Sequence, residues 1–355
     1  MTAYRAFVLM TALPPTTGHL DLIRFASHLA DHVTVVLNTQ PHEPYSRERA
    51  EALRSAVHSI RGDVRVYQIH RTIQQEPNGE NDTAFWDMWR DFLIGHCALE
   101  PGDLLVASEM YGLRLAKEVG AKFVPYDIAR EINDAKATRV RNNVIGNFDI
   151  ILPEFQKYLR PTVTVFGADS TGKTTLSKDL ARTLGGHWVP EWARPYLETV
   201  GPDLTPDAMR TIAAGQQARQ QTCDDKTGKP FIVQDTDLFT TLGLWRQFRN
   251  NGTLTLDEDD ERTLTTAAAK LTSDLYLVTK SNIEFEPDPL RYGGDQRETT
   301  DQYWLDLCAK FNLNYLVLDS ADHDERLAQA TEACWNLSRE KVAPLYYTRE
   351  GSEYR

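Results

Sequence analysis

A chain of 355 residues is long enough for about two domains, each burying its own core. With 41% hydrophobic and 25% charged residues it has the balance of a soluble globular protein, and a net charge of -12 argues against general affinity for DNA, RNA or anionic membrane. Four cysteines (Cys97, Cys223, Cys308, Cys334) stand far apart with no CxxC pair, no secretory-signal core opens the chain, and no apolar run reaches membrane-spanning length, so the expected setting is the cytoplasm with reduced thiols.

Along the chain, Ala6–Met10 (AFVLM) is an apolar run of buried-strand type. Gly18 to Asp31 reads as a helix with Leu22, Ala26 and Leu29 on one face. HVTVVLNT is the next strand, and Ser46 can cap the helix RERAEALRSAV. DVRVYQIH, a helix around Ala84–Cys97, DLLVASE and KFVPYD continue the alternation. Such alternation predicts a mainly parallel sheet with helices on both faces, whose ligands bind beyond the carboxyl ends of the strands. NFDIILPEFQKYLRP, Asn147 to Pro161, reads as a connector, placing a boundary near Arg160 between residues 1–159 and 160–355. TVTVF then opens a second sheet. LDEDDER, Leu256 to Arg262, reads as a solvated surface.

Directly after TVTVF comes GADSTGKTTL, with Gly167-x-x-x-x-Gly172-Lys173-Thr174 set between a strand and a helical pattern. That context is the one a phosphate-binding loop needs. Backbone N–H groups of Gly167, Asp169, Ser170, Thr171, Gly172 and Thr175 can wrap a β-phosphate, helped by the helix dipole. Lys173 is expected to reach the β- and γ-phosphates and Thr174 to ligand Mg²⁺, with ATP as donor. FIVQDTD ends a strand in Asp235 and Asp237, where a metal-binding or water-holding carboxylate is needed; Asp235 is favoured for the metal. Further on, DPLRYGGDQR carries Arg291 and Arg297 about a Gly-Gly pair, as a loop closing over a transferring phosphoryl group requires. The expected activity is that of a small-molecule kinase.

The first half holds a second set. In TALPPTTGHL, Thr16-x-Gly18-His19 lies between the first strand and the first helix; Gly18 permits close approach to phosphate and His19 can donate to its oxygens. KATRVR sets Thr138 and Arg141 near a helix start, where they can grip the phosphates that leave when an α-phosphate is attacked. The two segments resemble the TxGH and SxTxxR elements of the nucleotidyltransferase superfamily, with Lys136 where Ser is usual.

Taken whole, from about Phe7 to Arg326, the chain resembles the bifunctional NadR-type proteins, which join a nicotinamide mononucleotide adenylyltransferase to a nicotinamide riboside kinase. Ser108–Glu109, Asp127 and Arg130, Trp86 and Trp89, PEWAR with Glu191 and Arg194, and DTD at Asp235–Asp237 carry the likeness. It implies an α/β fold of two domains, a Rossmann-like nucleotidyltransferase sheet followed by a P-loop kinase sheet, both mainly parallel. It implies ATP, Mg²⁺, nicotinamide riboside, nicotinamide mononucleotide and NAD as ligands, no nucleic acid or membrane partner, and it allows a homo-oligomer. The family's bacterial regulators also carry an amino-terminal helix-turn-helix; this sequence starts at the first strand, so repressor function is not implied.

On that resemblance Trp86 or Trp89 is expected to form an aromatic platform for the nicotinamide, and Arg49 to contact phosphate. Glu191, Arg194 and Asp237 are expected near the riboside, with Glu191, Asp235 and Asp237 all open as the kinase base. The rival readings are a coenzyme A synthase-like pair acting on phosphopantetheine and dephospho-coenzyme A, a nucleotide sensor, and a chain in which the kinase half alone is active. Lys136 is the feature that keeps the last of these open.

Overall fold

The computed structural model describes residues 5–79, 81–133, 135–226, 228–255, 257–284 and 297–346, with side chains except at 224–226 and 297–300. The chain divides into two compact units, Met1–Tyr158 together with Val342–Arg355, and Leu159–Lys341. The second unit thus stops at Lys341, whereas the sequence reading carried its second domain to residue 355.

The first unit runs β1 (Arg5–Met10), α1 (Thr17–Leu29), β2 (His32–Asn38), α2 (Ser46–Val57), β3 (Asp63–Ile69), α3 (Thr83–Gly95), β4 (Leu104–Ala107), α4 (Tyr111–Val119), β5 (Lys122–Pro125), α5 (Ala137–Asn142) and α6 (Pro153–Leu159). Its five strands lie in the order β3-β2-β1-β4-β5, all parallel. Phe7 stands opposite both Thr34 and Leu105, so β1 is central and covered on both faces, which is why it reads as a continuous apolar run. The chain winds outward from β1 through β3, then returns to β4 on the other side. The carboxyl ends of β1 and β4 therefore flank the switch point where such sheets take ligands.

The segment expected as a connector is instead a packed element. Pro153 fits the first turn of α6, and Leu152, Phe155 and Leu159 are fully buried along it. Its start is stitched to the TTGH turn by a bridge between Thr16 and Ile151 and by Leu152 N–H donating to the Pro15 carbonyl at 3.0 Å.

The second unit runs β6 (Thr162–Gly167), α7 (Lys173–Thr183), β7 (His187–Val189), α8 (Ala193–Val200), α9 (Pro206–Lys226), β8 (Ile232–Asp235), α10 (Leu238–Asn250), α11 (Glu258–Lys270), β9 (Leu275–Thr279), α12 (Arg297–Lys310), β10 (Tyr315–Leu318) and α13 (His323–Val342). Its five parallel strands are ordered β10-β9-β6-β8-β7. Alternate residues of β6 feed two cores. Val163 and Val165 join Leu176 and Leu180 on one face, while Phe166 joins Leu242, Trp245 and Trp304 on the other. The acidic run behaves as a surface helix start, with Asp257 capping α11, although Glu261 turns inward to pair with Arg246 at 2.6 Å. No described helix is long and apolar enough to cross a membrane, and the four cysteines form no disulfide among the described residues.

Candidate active sites

In the second unit the loop between β6 and α7 can be built only with glycine at its start. Gly167 has φ +131°, and a Cβ there would stand 2.6 Å from the Thr279 carbonyl oxygen of β9. Thr171 fastens the loop to the same strand: its hydroxyl donates to the Ala168 carbonyl at 2.8 Å and lies 2.7 Å from the Thr279 hydroxyl. Lys173 opens α7, and its Nζ donates to the Ala168 carbonyl at 2.6 Å, 3.9 Å from Asp169.

Arg326, from the first turns of α13, lies behind this loop with 3% exposure. It donates to the carbonyls of Thr171 (2.8 Å) and Lys280 (3.1 Å) and also holds Ser320 and Asn282. No motif marks it in the sequence, since its partners lie up to 155 residues away.

A cavity of about 260 Å³ opens over the loop, lined also by Glu191, Arg194, Asp235, Thr240 and Trp304. Asp235 ends β8, accepts a hydrogen bond from the Thr174 hydroxyl, and is pushed above the usual carboxylate range by burial. These two oxygen donors side by side suit a small hard cation such as Mg²⁺. No group of three or more His, Cys, Asp or Glu placed to hold a metal ion occurs among the described residues, so such an ion would take its other ligands from nucleotide and water. Glu191 is raised to about 7, first by burial and then by Asp235, with Lys173 pulling the other way. Arg194 stands 3.7 Å from Glu198 and faces the cavity.

Asp237 has a different place. It caps α10, accepting from the N–H groups of Phe239 (2.9 Å) and Thr240 (3.1 Å) and from the Tyr276 hydroxyl (2.7 Å). It is 1% exposed, is pushed up to about 6 by burial, and does not line the cavity. Of the two loop arginines, Arg291 lies outside the described residues, and Arg297 opens α12 with its side chain outside them.

In the first unit a cavity of about 560 Å³ lies at the carboxyl ends of β1, β2 and β4. Gly18 is required where α1 starts, because a Cβ would stand 2.9 Å from the Ala135 carbonyl oxygen. Thr16 is fully buried; its N–H donates to His19 Nδ1 at 3.0 Å, and its hydroxyl lies 2.8 Å from both Nδ1 and the Ala135 carbonyl. A backbone donor on Nδ1 fixes the tautomer, so Nε2 carries the proton. Burial lowers His19 to about 4, and Arg130 and Arg141 add to the effect. The ring is therefore a neutral N–H donor at the cavity wall.

Arg141, on α5, donates to the Thr138 hydroxyl at 3.1 Å and to the Leu13 carbonyl, and both α5 residues line the cavity with Lys136. Arg130 joins them from a loop organised by Asp127. The Asp127 carboxylate accepts from three successive backbone N–H groups, those of Glu131, Ile132 and Asn133, at 2.8 to 3.1 Å. Ser108 and Glu109 line the same cavity.

The aromatic pair divides. Trp89 lines the cavity and donates its Nε1–H to the Gln74 carbonyl at 2.9 Å, whereas Trp86 packs edge-on against Phe85 in the core and does not reach the cavity. Arg49 is likewise away from the cavity. It is fully buried on the inner face of α2, paired with Glu43 at 2.7 Å and donating to the Thr11 carbonyl at 3.0 Å. Its position among Ala50, Ala52 and Leu53 on the buried side was the available sequence signal. Arg49→Ala would leave Glu43 buried without its cation, and is expected to lower the stability of this unit by about 3–5 kcal/mol in thermal or denaturant unfolding.

A family model described as an AAA domain matches residues 162–326. The Trifunctional NAD biosynthesis/regulator protein NadR of Salmonella typhimurium is 20% identical over 336 residues, covering 90% of this chain and 80% of the relative. Its Escherichia coli counterpart is 21% identical over 340 residues with the same coverage. The chain is thus similar to the NadR proteins along 90% of its length. Among solved structures, a NadR protein in complex with NR matches with a TM-score of 0.65 at 22% identity, over 95% of this chain and 96% of that one. A NadR protein in complex with NAD and AMP-PNP matches at 0.62 and 22%, over 98% of each. The shared fold thus takes in both sheets, which the AAA match alone does not.

Proposed function

We propose that the chain is a bifunctional NAD-salvage enzyme. Its second unit phosphorylates nicotinamide riboside with ATP, and its first joins the resulting mononucleotide to the adenylyl group of a second ATP, releasing pyrophosphate. The observation that carries the reading is that each sheet has its own cavity at its carboxyl edge, in a chain that aligns with NadR proteins over 90% of its length.

In the kinase unit, Lys173 holds the β- and γ-phosphates, and Thr174 and Asp235 would hold Mg²⁺, whose charge would offset that building on the phosphoryl oxygens. Glu191 takes the proton of the riboside 5′-hydroxyl as its oxygen bonds to the γ-phosphorus and the bond to ADP breaks. A carboxylate titrating near the working pH is suited to that task. Arg194 holds substrate or product phosphate at the cavity wall. Asp237 serves by capping α10 and fixing the turn that follows Asp235, a supporting role in place of direct substrate contact. Glu191→Gln is expected to slow riboside phosphorylation by ~10²–10⁴-fold. In the wild type kcat/KM for the riboside should climb as pH rises through about 7, because the base acts only when ionised, and that limb should vanish in the variant.

In the adenylyltransferase unit, a phosphate oxygen of the mononucleotide bonds to the α-phosphorus of ATP, and the α–β bridge bond breaks toward pyrophosphate. Phosphate is already a nucleophile, so this step rests on positioning and charge neutralisation. His19 offers Nε2–H to the reacting phosphate, held in that tautomer by Thr16. Arg141, Thr138 and Arg130 grip the departing pyrophosphate, and Lys136 supplies a cation where related elements have a Ser hydroxyl. Trp89 is the aromatic wall available to the nicotinamide.

Incubation with ATP, Mg²⁺ and nicotinamide riboside, with products followed by mass, tests the whole reading. NAD is the expected product. Mononucleotide alone would mean that only the kinase unit is active, and a product from phosphopantetheine would move the assignment to coenzyme A synthesis.

A further inference from the structure

Asn38 ends β2, beside β1 on the side away from β4. Asn38 is one of the residues that line the first unit's cavity and is 3% exposed, and its Nδ2 and Oδ1 are both buried with no hydrogen-bond partner in the protein. Folded proteins rarely leave a buried amide with both its donor and its acceptor unused, so such a group facing a cavity is matched to something that enters it.

The surroundings narrow what that is. The cations of the cavity, Arg130, Lys136 and Arg141, all come from the segment that follows β5 and packs on the turn between β1 and α1, where Arg141 donates to the Leu13 carbonyl and the Ala135 carbonyl accepts from Thr16. Glu43 and Glu76 follow β2 and β3, at the other side with Asn38. Glu43 is spent within the protein, accepting from Arg49, from the Gln40 N–H and from Gln75, so Glu76 is the acidic group left at that side. One end therefore takes phosphate. The other has the Glu76 carboxylate and, in Asn38, an amide with a donor and an acceptor to offer. A positively charged ring bearing a primary carboxamide fits that end, because two carboxamides pair head to head, N–H to C=O in both directions. A carboxylate on the same ring has no N–H for Oδ1 and brings its charge against Glu76. Sites built to hydrogen-bond a group discriminate strongly against analogues that leave their polar atoms unpaired.

We infer that Asn38 is a specificity-determining residue of the first unit, pairing with the carboxamide of the acceptor's ring and excluding the carboxylate counterpart. The inference rests on the adenylyl-acceptor reading of this cavity.

Binding of nicotinamide mononucleotide and of its carboxylate analogue, nicotinate mononucleotide, to the full-length wild type, Asn38→Leu and Asn38→Ala decides it. Occupancy of both nucleotide sites by a nonhydrolysable ATP analogue, two per chain, and the thermal unfolding profile serve as measures of intact folding. The wild type should favour the carboxamide at least ~10-fold. Both variants should lose that preference by weakening for the carboxamide alone, with the ATP analogue bound as before. Discrimination that survives in both variants, equal weakening for both mononucleotides, or no preference in the wild type would each overturn the role of Asn38. If the ATP analogue binds while neither mononucleotide does, the acceptor reading itself fails, and this inference with it.

Discussion

Lys173→Ala is expected to reduce nicotinamide riboside phosphorylation by ~10³-fold or more while leaving adenylylation of supplied mononucleotide at the wild-type rate. A cation on the β- and γ-phosphates is worth most as charge shifts in phosphoryl transfer, where loss of one such group has effects of this size. Its Nζ makes one hydrogen bond to a loop carbonyl, and the loop is otherwise held by Thr171 and Arg326, so the variant should fold. The second activity should survive because its cavity is lined entirely by residues of the other unit. Both rates are measured on one preparation. Loss of both in a variant with normal unfolding behaviour would contradict two independent sites.

His19→Ala should do the reverse, lowering adenylyl transfer by ~10²–10³-fold, the range for removing one preorganised transition-state donor. Riboside phosphorylation should be untouched. The titration of His19 adds a second readout. With its folded value lowered from 6.5 to about 4, the ring stays neutral across the physiological range, so kcat/KM for adenylyl transfer should show no His19 limb near pH 6.5. The sign for stability follows from the same shift. The unfolded chain takes up the proton first, so this group's contribution is complete above about 6.5 and is lost as pH falls toward about 4. An unchanged rate in His19→Ala would make TTGH a structural turn.

Both sheets were legible because fully buried parallel strands are short apolar runs separated by helical patterns, as AFVLM and TVTVF show. Their order was not legible, since β1 pairs with β4 across almost a hundred residues that hold no mark of the pairing. Phosphate-loop residues could be found because steric need and chemistry coincide at Gly167 and Gly172. The two aspartates of DTD could not be told apart: both follow a strand, and only the geometry shows Asp235 facing the cavity and Asp237 spent on a helix cap. Arg49 and Trp86 have the residue types of binding sites, yet a helix face decides whether such side chains look inward or toward ligand. Arg326 and Asn38 went unread for opposite reasons. Arg326 acts through partners remote in sequence, and Asn38 is an ordinary strand-end residue until its amide is found without a partner.

The chain's return to its first unit bears on how the two activities could be parted. The short turn Ala343–Tyr346 packs against α5, the helix that carries Thr138 and Arg141, and Leu345 within it is fully buried. A fragment cut after Leu159 would lack this brace and loosen the helix that brings Thr138 and Arg141 to the cavity. In sequence the kinase is thus an insertion, and gene fission or deletion that kept adenylyl transfer would have to excise the middle and rejoin the tail.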